Sequence, residues 1–274
     1  MIKRLLLATD GSTPALGAER LAGYLAYELE AVLEALYVRD IRLIRMPELM
    51  DWGAISMPMP VYHEEMEKVL TARAEAVLER VREETEQAGV KVEPTVRTGV
   101  PYQVIVEEAR TADLVVLGRA GEASGHEATG LGSTTERVVR TSPTPVLVAP
   151  LEPVRPDRLL LAYDGSDPAT RALHLAAELA AGLALPAFVL TVDDDAMRAE
   201  ALAAEAVAYL AERGATASTQ TAAGDPDERI LEAEAPTDLL VMGAFGKGLI
   251  RTLLLGSTAE LVLRRAVGPV LVVR

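Results

Sequence analysis

The sequence is written twice. Leu5-Leu-Leu-Ala-Thr-Asp10-Gly-Ser-Thr-Pro14-Ala returns 154 positions later as Leu159-Leu-Leu-Ala-Tyr-Asp164-Gly-Ser-Asp-Pro168-Ala. Gly99-Val-Pro101 through Gly121 returns 125 positions later as Gly224-Asp-Pro226 through Gly246. Gly132-Ser-Thr-Thr-Glu136 and Pro145-Val-Leu-Val148 return 124 positions later as Gly256-Ser-Thr-Ala-Glu260 and Pro269-Val-Leu-Val272. Blocks that keep their order while the offset changes mark a duplicated domain with local insertions. The drop from 154 to 125 places 29 extra residues in the first half, between its second strand and Gly99. Pro150-Leu-Glu-Pro153-Val-Arg-Pro156 reads as an extended linker, so the expected domains are 1–150 and 157–274.

Each copy alternates apolar runs with helical spacing. Residues 2–9 read as a buried strand; Ser12 and Pro14 open a helix along which Leu16, Leu21, Leu25, Leu29 and Val32 recur. Ala35–Val38 is the second expected strand, a long helix runs from about Glu64 to Gln87, Val90–Val96 is the third strand and Val100–Ala109 a short helix. Leu114–Gly118, Ser133–Arg140 and Val146–Ala149 complete the copy as strand, helix and strand. The second copy offers strands at Leu159–Tyr163, Ala187–Val192, about Ala215–Gln220, Leu239–Gly243 and Val270–Val273. Continuous apolar strands separated by helices imply a parallel sheet covered on both faces. The expected class is therefore α/β: two repeated doubly wound, Rossmann-like domains, each a five-stranded, mostly parallel sheet. Such sheets take ligands outside the carboxyl ends of their strands, where strand order reverses. That rule selects Asp10, Val38 and Gly118 in one half and Asp164, Val192 and Gly243 in the other.

Composition narrows the function classes. A net charge of −14 opposes a nucleic-acid backbone or an anionic membrane as main partner. The chain has no cysteine, which removes disulfide and thiolate chemistry. Lys3-Arg4 and a short apolar run stop at Asp10-Gly-Ser, too short for a signal sequence, so a cytoplasmic location is expected. No Gly-x-x-x-x-Gly-Lys-Ser/Thr loop, paired zinc-ligand motif or Gly-x-Ser-x-Gly elbow occurs.

The stretch from Leu239 to Thr258 carries the chemistry. An apolar run ends at Gly243, a loop with Gly246 and Lys247 follows, and Gly256-Ser257-Thr258 opens an amphipathic segment. Glycines let the main chain approach a ligand closely, and the first amides of a helix lack partners, so this turn suits a phosphate. Gly243, two residues, Gly246, nine residues, Gly256 and Ser257 resemble the nucleotide signature of the universal stress protein family, in its tandem form. The resemblance covers nearly the whole chain. Gly118, Gly121, Gly132 and Ser133 depart from it by one residue, with ten between the second and third glycines.

The resemblance implies adenine nucleotide alpha hydrolase-like domains that bind ATP, with Mg2+, in a regulatory stress role without efficient catalysis. Carried over by position, Asp164 and Val192 flank the adenosine, Met242 and Gly243 line its edge, and Gly246, Gly256, Ser257 and Thr258 hold the phosphates, with Lys247 in the same loop. Asp10, Val38, Leu117, Gly118, Gly121, Gly132, Ser133 and Thr134 are the first-half counterparts. It also implies that the halves meet through Pro145–Val148 and Pro269–Val272, and it leaves a homodimer open.

Each of these positions has a plainer reading. Ser133 with Glu136 and Ser257 with Glu260 have capping-box spacing. Asp10 and Asp164 fit turn residues before glycine. Lys247 and Arg251 fit solvated loop charges, and the first half has Glu122, His126 and Glu127 in their place. Arg39–His63, with Met46, Met50, Trp52, Met57 and Met59, is an excursion packed on its own domain, or a lid or partner surface. Asp193-Asp-Asp195 starts a helix or binds a cation. No spacing assigns a metal ligand. A nucleotide-independent scaffold and a slow ATP hydrolase stay open beside the nucleotide-binding reading.

Overall fold

The computed structural model describes residues 1–44, 59–121, 130–246 and 255–274. In the first half β1 (Arg4–Ala8), β2 (Val32–Asp40), β3 (Val92–Gly99), β4 (Leu114–Gly118) and β5 (Val146–Ala149) lie in the order β3-β2-β1-β4-β5, and all neighbours run parallel. The second half repeats this with β6 (Arg158–Ala162), β7 (Ala187–Val192), β8 (Ala217–Ala222), β9 (Asp238–Gly243) and β10 (Val270–Val273), in the order β8-β7-β6-β9-β10. β5 and β10 then pair antiparallel, Val146 opposite Val272, Leu147 opposite Leu271 and Val148 opposite Val270. One ten-stranded sheet results, with a local twofold at Leu147 and Leu271.

Both faces of that sheet are covered, which is why its strands are apolar without alternation. Leu5 and Leu7 face α1 (Leu16–Glu28) and α3 (Met59–Glu86), where they meet Leu21, Leu25, Val77 and Val81. In the second half α6 (Asp167–Gly182) and α7 (Ala196–Glu212) bring Leu173 and Leu210 to the same layer. Leu6 and Ala8 face the opposite layer, built from α4 (Pro101–Glu108), α5 (Ser133–Thr141), α8 (Pro226–Ala233) and α9 (Ser257–Arg265) through Ile105, Val138, Ile230 and Val262. A single turn, α2 (Ile41–Ile44), follows β2.

Periodicity alone misplaced some boundaries. α1 ends at Glu28, Glu30 takes φ +50°, and the Ala31 amide closes on the Ala26 carbonyl at 2.9 Å, so Val32 belongs to β2. β2 outruns its apolar centre because it is zipped on both sides, to β1 and to β3 as far as Asp40 and Gly99. α3 starts at Met59, ahead of the expected Glu64.

The capping-box reading is also corrected. The N-caps of α5 and α9 are Gly132 and Gly256, both extended, and neither helix start has a side-chain cap. Glu136 and Glu260 turn to the seam between the halves instead. Arg140 lies 3.1 Å from Glu136 and 3.0 Å from Glu260, while Arg264 lies 3.2 Å from Glu260 and 3.5 Å from Glu136. The carboxylates that would have closed each helix start form a ring of ion pairs across the local twofold, and the amides behind them stay open.

Candidate functional site

Strand order reverses between β1 and β4 and again between β6 and β9, and a cavity opens beyond the carboxyl ends at each place. The second-half cavity has a volume of about 260 Å³ and is lined by Asp164, Val192, Met242, Gly243, Gly246, Gly256, Ser257 and Thr258. The first-half cavity, about 340 Å³, is lined by Asp10, Val38, Leu117, Gly118, Gly121, Gly132, Ser133 and Thr134. All these sequence-selected positions therefore converge on two crevices. Lys247 lies outside the described residues, as do Arg251, Glu122, His126, Glu127 and the segment 45–58.

Each cavity floor begins with an Asp-Gly-Ser turn. Gly11 and Gly165 take φ +71° and +69°, a conformation that leaves glycine little competition. Asp10 Oδ1 accepts from the Ser12 amide at 3.0 Å and Asp164 Oδ1 from the Ser166 amide at 2.9 Å. This fixes the carboxylate plane and turns the second oxygen toward the glycine of the opposite loop. A Cβ on Gly246 would lie 3.0 Å from Asp164 Oδ2, and one on Gly121 would lie 2.7 Å from Asp10 Oδ2.

Gly118 and Gly243 do different work. A Cβ there would meet the Pro14 carbonyl oxygen at 3.0 Å and the Ala169 amide nitrogen at 2.8 Å. Besides lining the cavities, they let the first helix of each half settle against the strand end.

At the far side the loop returns to a helix start. The Gly256 amide donates to the Ala244 carbonyl at 2.8 Å and the Gly132 amide to the Arg119 carbonyl at 2.8 Å, the same closure in both halves. Gly256 and Gly132 then accept the first helical bonds, from Glu260 and Glu136, each at 2.9 Å. The amides of Ser257 and Thr258, and of Ser133 and Thr134, precede that first bond and so have no helical partner. By contrast the Ser166 hydroxyl caps α6 through the Ala169 amide, and Asp195 caps α7 through the amides of Met197 and Arg198. Asp195 is thus the helix-starting member of its acidic trio. Two uncapped helix starts facing the cavities, beside a carboxylate with a fixed plane, suit an anion at one end and a hydroxyl or amine at the other.

Several contributors were invisible in the sequence. The Thr9 hydroxyl accepts from the Gly11 amide at 3.0 Å and donates to Glu19 at 2.6 Å; Glu19 in turn is gripped by both Arg80 nitrogens, at 2.6 and 3.0 Å. Glu19 is buried, and this chain ties the Asp10 turn to α1 and α3. In the second half Tyr163 stands in place of Thr9 and donates to Glu205 at 2.9 Å. Arg42 and Arg73 line the first cavity from α2 and α3. Contacts that join residues 61 positions apart leave no local pattern to read.

A half-buried arginine and a half-buried carboxylate sit behind the site. Arg119, next to Gly118, donates to the Arg264 carbonyl at 3.5 Å, and burial holds its pKa below the ordinary arginine value despite attraction to Glu234. Burial lifts the Glu234 carboxyl above its ordinary value, against the opposing pull of the Gly268 and Val267 amides and Arg119. An acid with a raised folded pKa lends stability that is complete below its unfolded value of 4.5 and is lost as pH rises through the folded one. Glu234→Gln removes that loss, so its stability relative to the parent should rise between about pH 4 and pH 7. Urea unfolding at both pH values measures this; a difference independent of pH would contradict it.

Among the described residues no group of three or more His, Cys, Asp or Glu is placed to hold a metal ion. No described helix is long and apolar enough to cross a membrane.

The family model for the universal stress protein family matches residues 1–150 and 156–274. The chain belongs to the universal stress protein family. It is similar to the universal stress protein Slr1230 of Synechocystis sp., 31% identical over 290 residues with 100% of both chains covered. Universal stress protein MJ0531 of Methanocaldococcus jannaschii is 34% identical over 151 residues, 54% of this chain and 82% of that one. A solved universal stress protein from Archaeoglobus fulgidus superposes with a TM-score of 0.74, covering 99% of this chain and 98% of that chain at 25% identity. In this universal stress protein both halves thus keep the crevice at the reversal of strand order, and they differ in what walls it.

Proposed function

We propose that this universal stress protein binds ATP in the second-half crevice and acts as a regulator in the stress response, in the cytoplasm. The observation that carries this is the convergence of Asp164, Val192, Gly246, Gly256, Ser257 and Thr258 on one cavity whose helix start lacks a side-chain cap. Val192 and Met242 offer an apolar slot for a purine, and the Asp164 carboxylate a partner for a ribose hydroxyl or an amine. The amides and hydroxyls of Ser257 and Thr258 meet the phosphates at the positive end of α9. Lys247 is assigned to the same site by its place in the sequence alone.

Magnesium would come with the triphosphate. This ion keeps several waters and needs only one or two carboxylates beside the phosphates, so a lone Asp164 is compatible with it. The chain functions as two units, 1–150 and 157–274, held together through the antiparallel pairing of β5 and β10. Calorimetric titration of the full chain with ATP and Mg2+ should give saturable binding. No heat of binding at millimolar ATP would overturn the reading.

A further inference from the structure

The first-half cavity has an outer end built differently from that of the second. β2 runs on to Asp40 and is followed by α2, whereas β7 stops at Val192 and α7 begins at Ala196. Leu36, Val38 and Asp40 are alternate residues of β2 and share one face, so the cavity floor made by Leu36 and Val38 continues to Asp40. Asp40 takes hold of Arg42, accepting from its amide at 2.9 Å, its Nε at 2.9 Å and its Nη2 at 2.6 Å. The Asp40 side chain is 17% exposed and that of Arg42 54%, so the carboxylate is the anchor and the guanidinium the arm it holds. Both residues line the cavity, with Leu43 beside them.

The second half has the anchor without the arm. Asp194 stands 154 positions after Asp40, but it accepts from the Gly224 amide at 3.1 Å, and Ala196 takes the position of Arg42. Neither is among the described residues that line the second-half cavity. The fork to Asp40 occupies one edge of the Arg42 guanidinium and holds its plane, which leaves its flat faces and Nη1 to the cavity. Place decides which of these a ligand meets. β2 lies on the far side of β1 from β4, whose loop leads to the start of α5, so Arg42 stands at the opposite end of the cavity from the helix start that suits phosphate.

We propose that Arg42, held by Asp40, is a specificity-determining residue of the first-half site, its guanidinium stacking on the purine base of the bound nucleotide. The inference rests on the nucleotide reading given above. A guanidinium is planar, delocalised and weakly hydrated, and it stacks on aromatic rings and nucleic-acid bases where an ammonium cannot. Arg42 then strengthens recognition of the base, independently of the phosphates.

Photolabelling of the full-length protein with azido-ATP, followed by peptide mapping, reads the two halves separately. Adenosine carries the base without phosphate and tripolyphosphate the phosphate without base, so displacement of first-half label by each separates the two ends of the site. Arg42→Ala should raise the adenosine needed by about tenfold and leave displacement by tripolyphosphate unchanged. Arg42→Lys keeps the charge without the plane and should not restore adenosine, and Asp40→Ala should act in the same direction as Arg42→Ala. Second-half label should respond to none of these substitutions. An adenosine requirement unchanged by Arg42→Ala or Asp40→Ala, or restored by Arg42→Lys, would overturn the proposal. An equal loss for tripolyphosphate would overturn it too, as would label confined to second-half peptides in the parent, with ATP binding there intact. Label on neither half would overturn the nucleotide reading itself, and this one with it.

Discussion

Replacing Arg80 with methionine will lower the stability of the fold by about 3 kcal/mol. The substitution strands the Glu19 carboxylate, 4% exposed, with Thr9 as its remaining hydrogen-bond donor in the chain that reaches the Gly11 amide. Breaking a buried pair on one side costs about 3–5 kcal/mol, and the lower end applies because Arg80 is itself 32% exposed and lets water reach the site. The loss should reverse in large part when Glu19→Gln is added, since the amide leaves no charge to desolvate. Chemical denaturation of the two variants measures both effects. A loss under about 1 kcal/mol for Arg80→Met would mean that the pair behaves as a surface salt bridge.

Gly246→Val should weaken ATP binding in the second half by about 2–3 kcal/mol, roughly 30- to 150-fold. Gly246 is exposed and its φ lies outside the left-handed region, so valine fits the backbone and the fold loses little. The new side chain instead projects onto Asp164 Oδ2, 3.0 Å from the Cβ position, and fills the space between the carboxylate and the helix start. Titration of variant and parent gives the ratio, and an unchanged melting temperature without ligand separates lost binding from lost folding. Equal affinity in the two proteins would contradict the assigned position of the phosphates.

What could be read from one sequence follows the range of the forces involved. Strand ends, the Asp-Gly-Ser turns and the Gly-Ser-Thr helix starts are settled by a few neighbouring residues, and the positions chosen on them line the two cavities. Strand order made the carboxyl ends the place to look, and the duplication let each half check the other. Boundaries failed where pairing across the sheet outweighed local periodicity, as at Val32 and at the far end of β2. Roles failed where a residue's partner lay on a distant element. Glu136 and Glu260 face the other half rather than their own serines, and Arg73 and Arg80 reach the first site from α3.

The central claim is tested most directly by crystals grown with a non-hydrolysable ATP analogue and Mg2+. Density should place the purine beside Val192 and the phosphates against the first amides of α9, at Ser257 and Thr258. An analogue bound elsewhere, or a second-half crevice without ligand density at millimolar analogue, would contradict it.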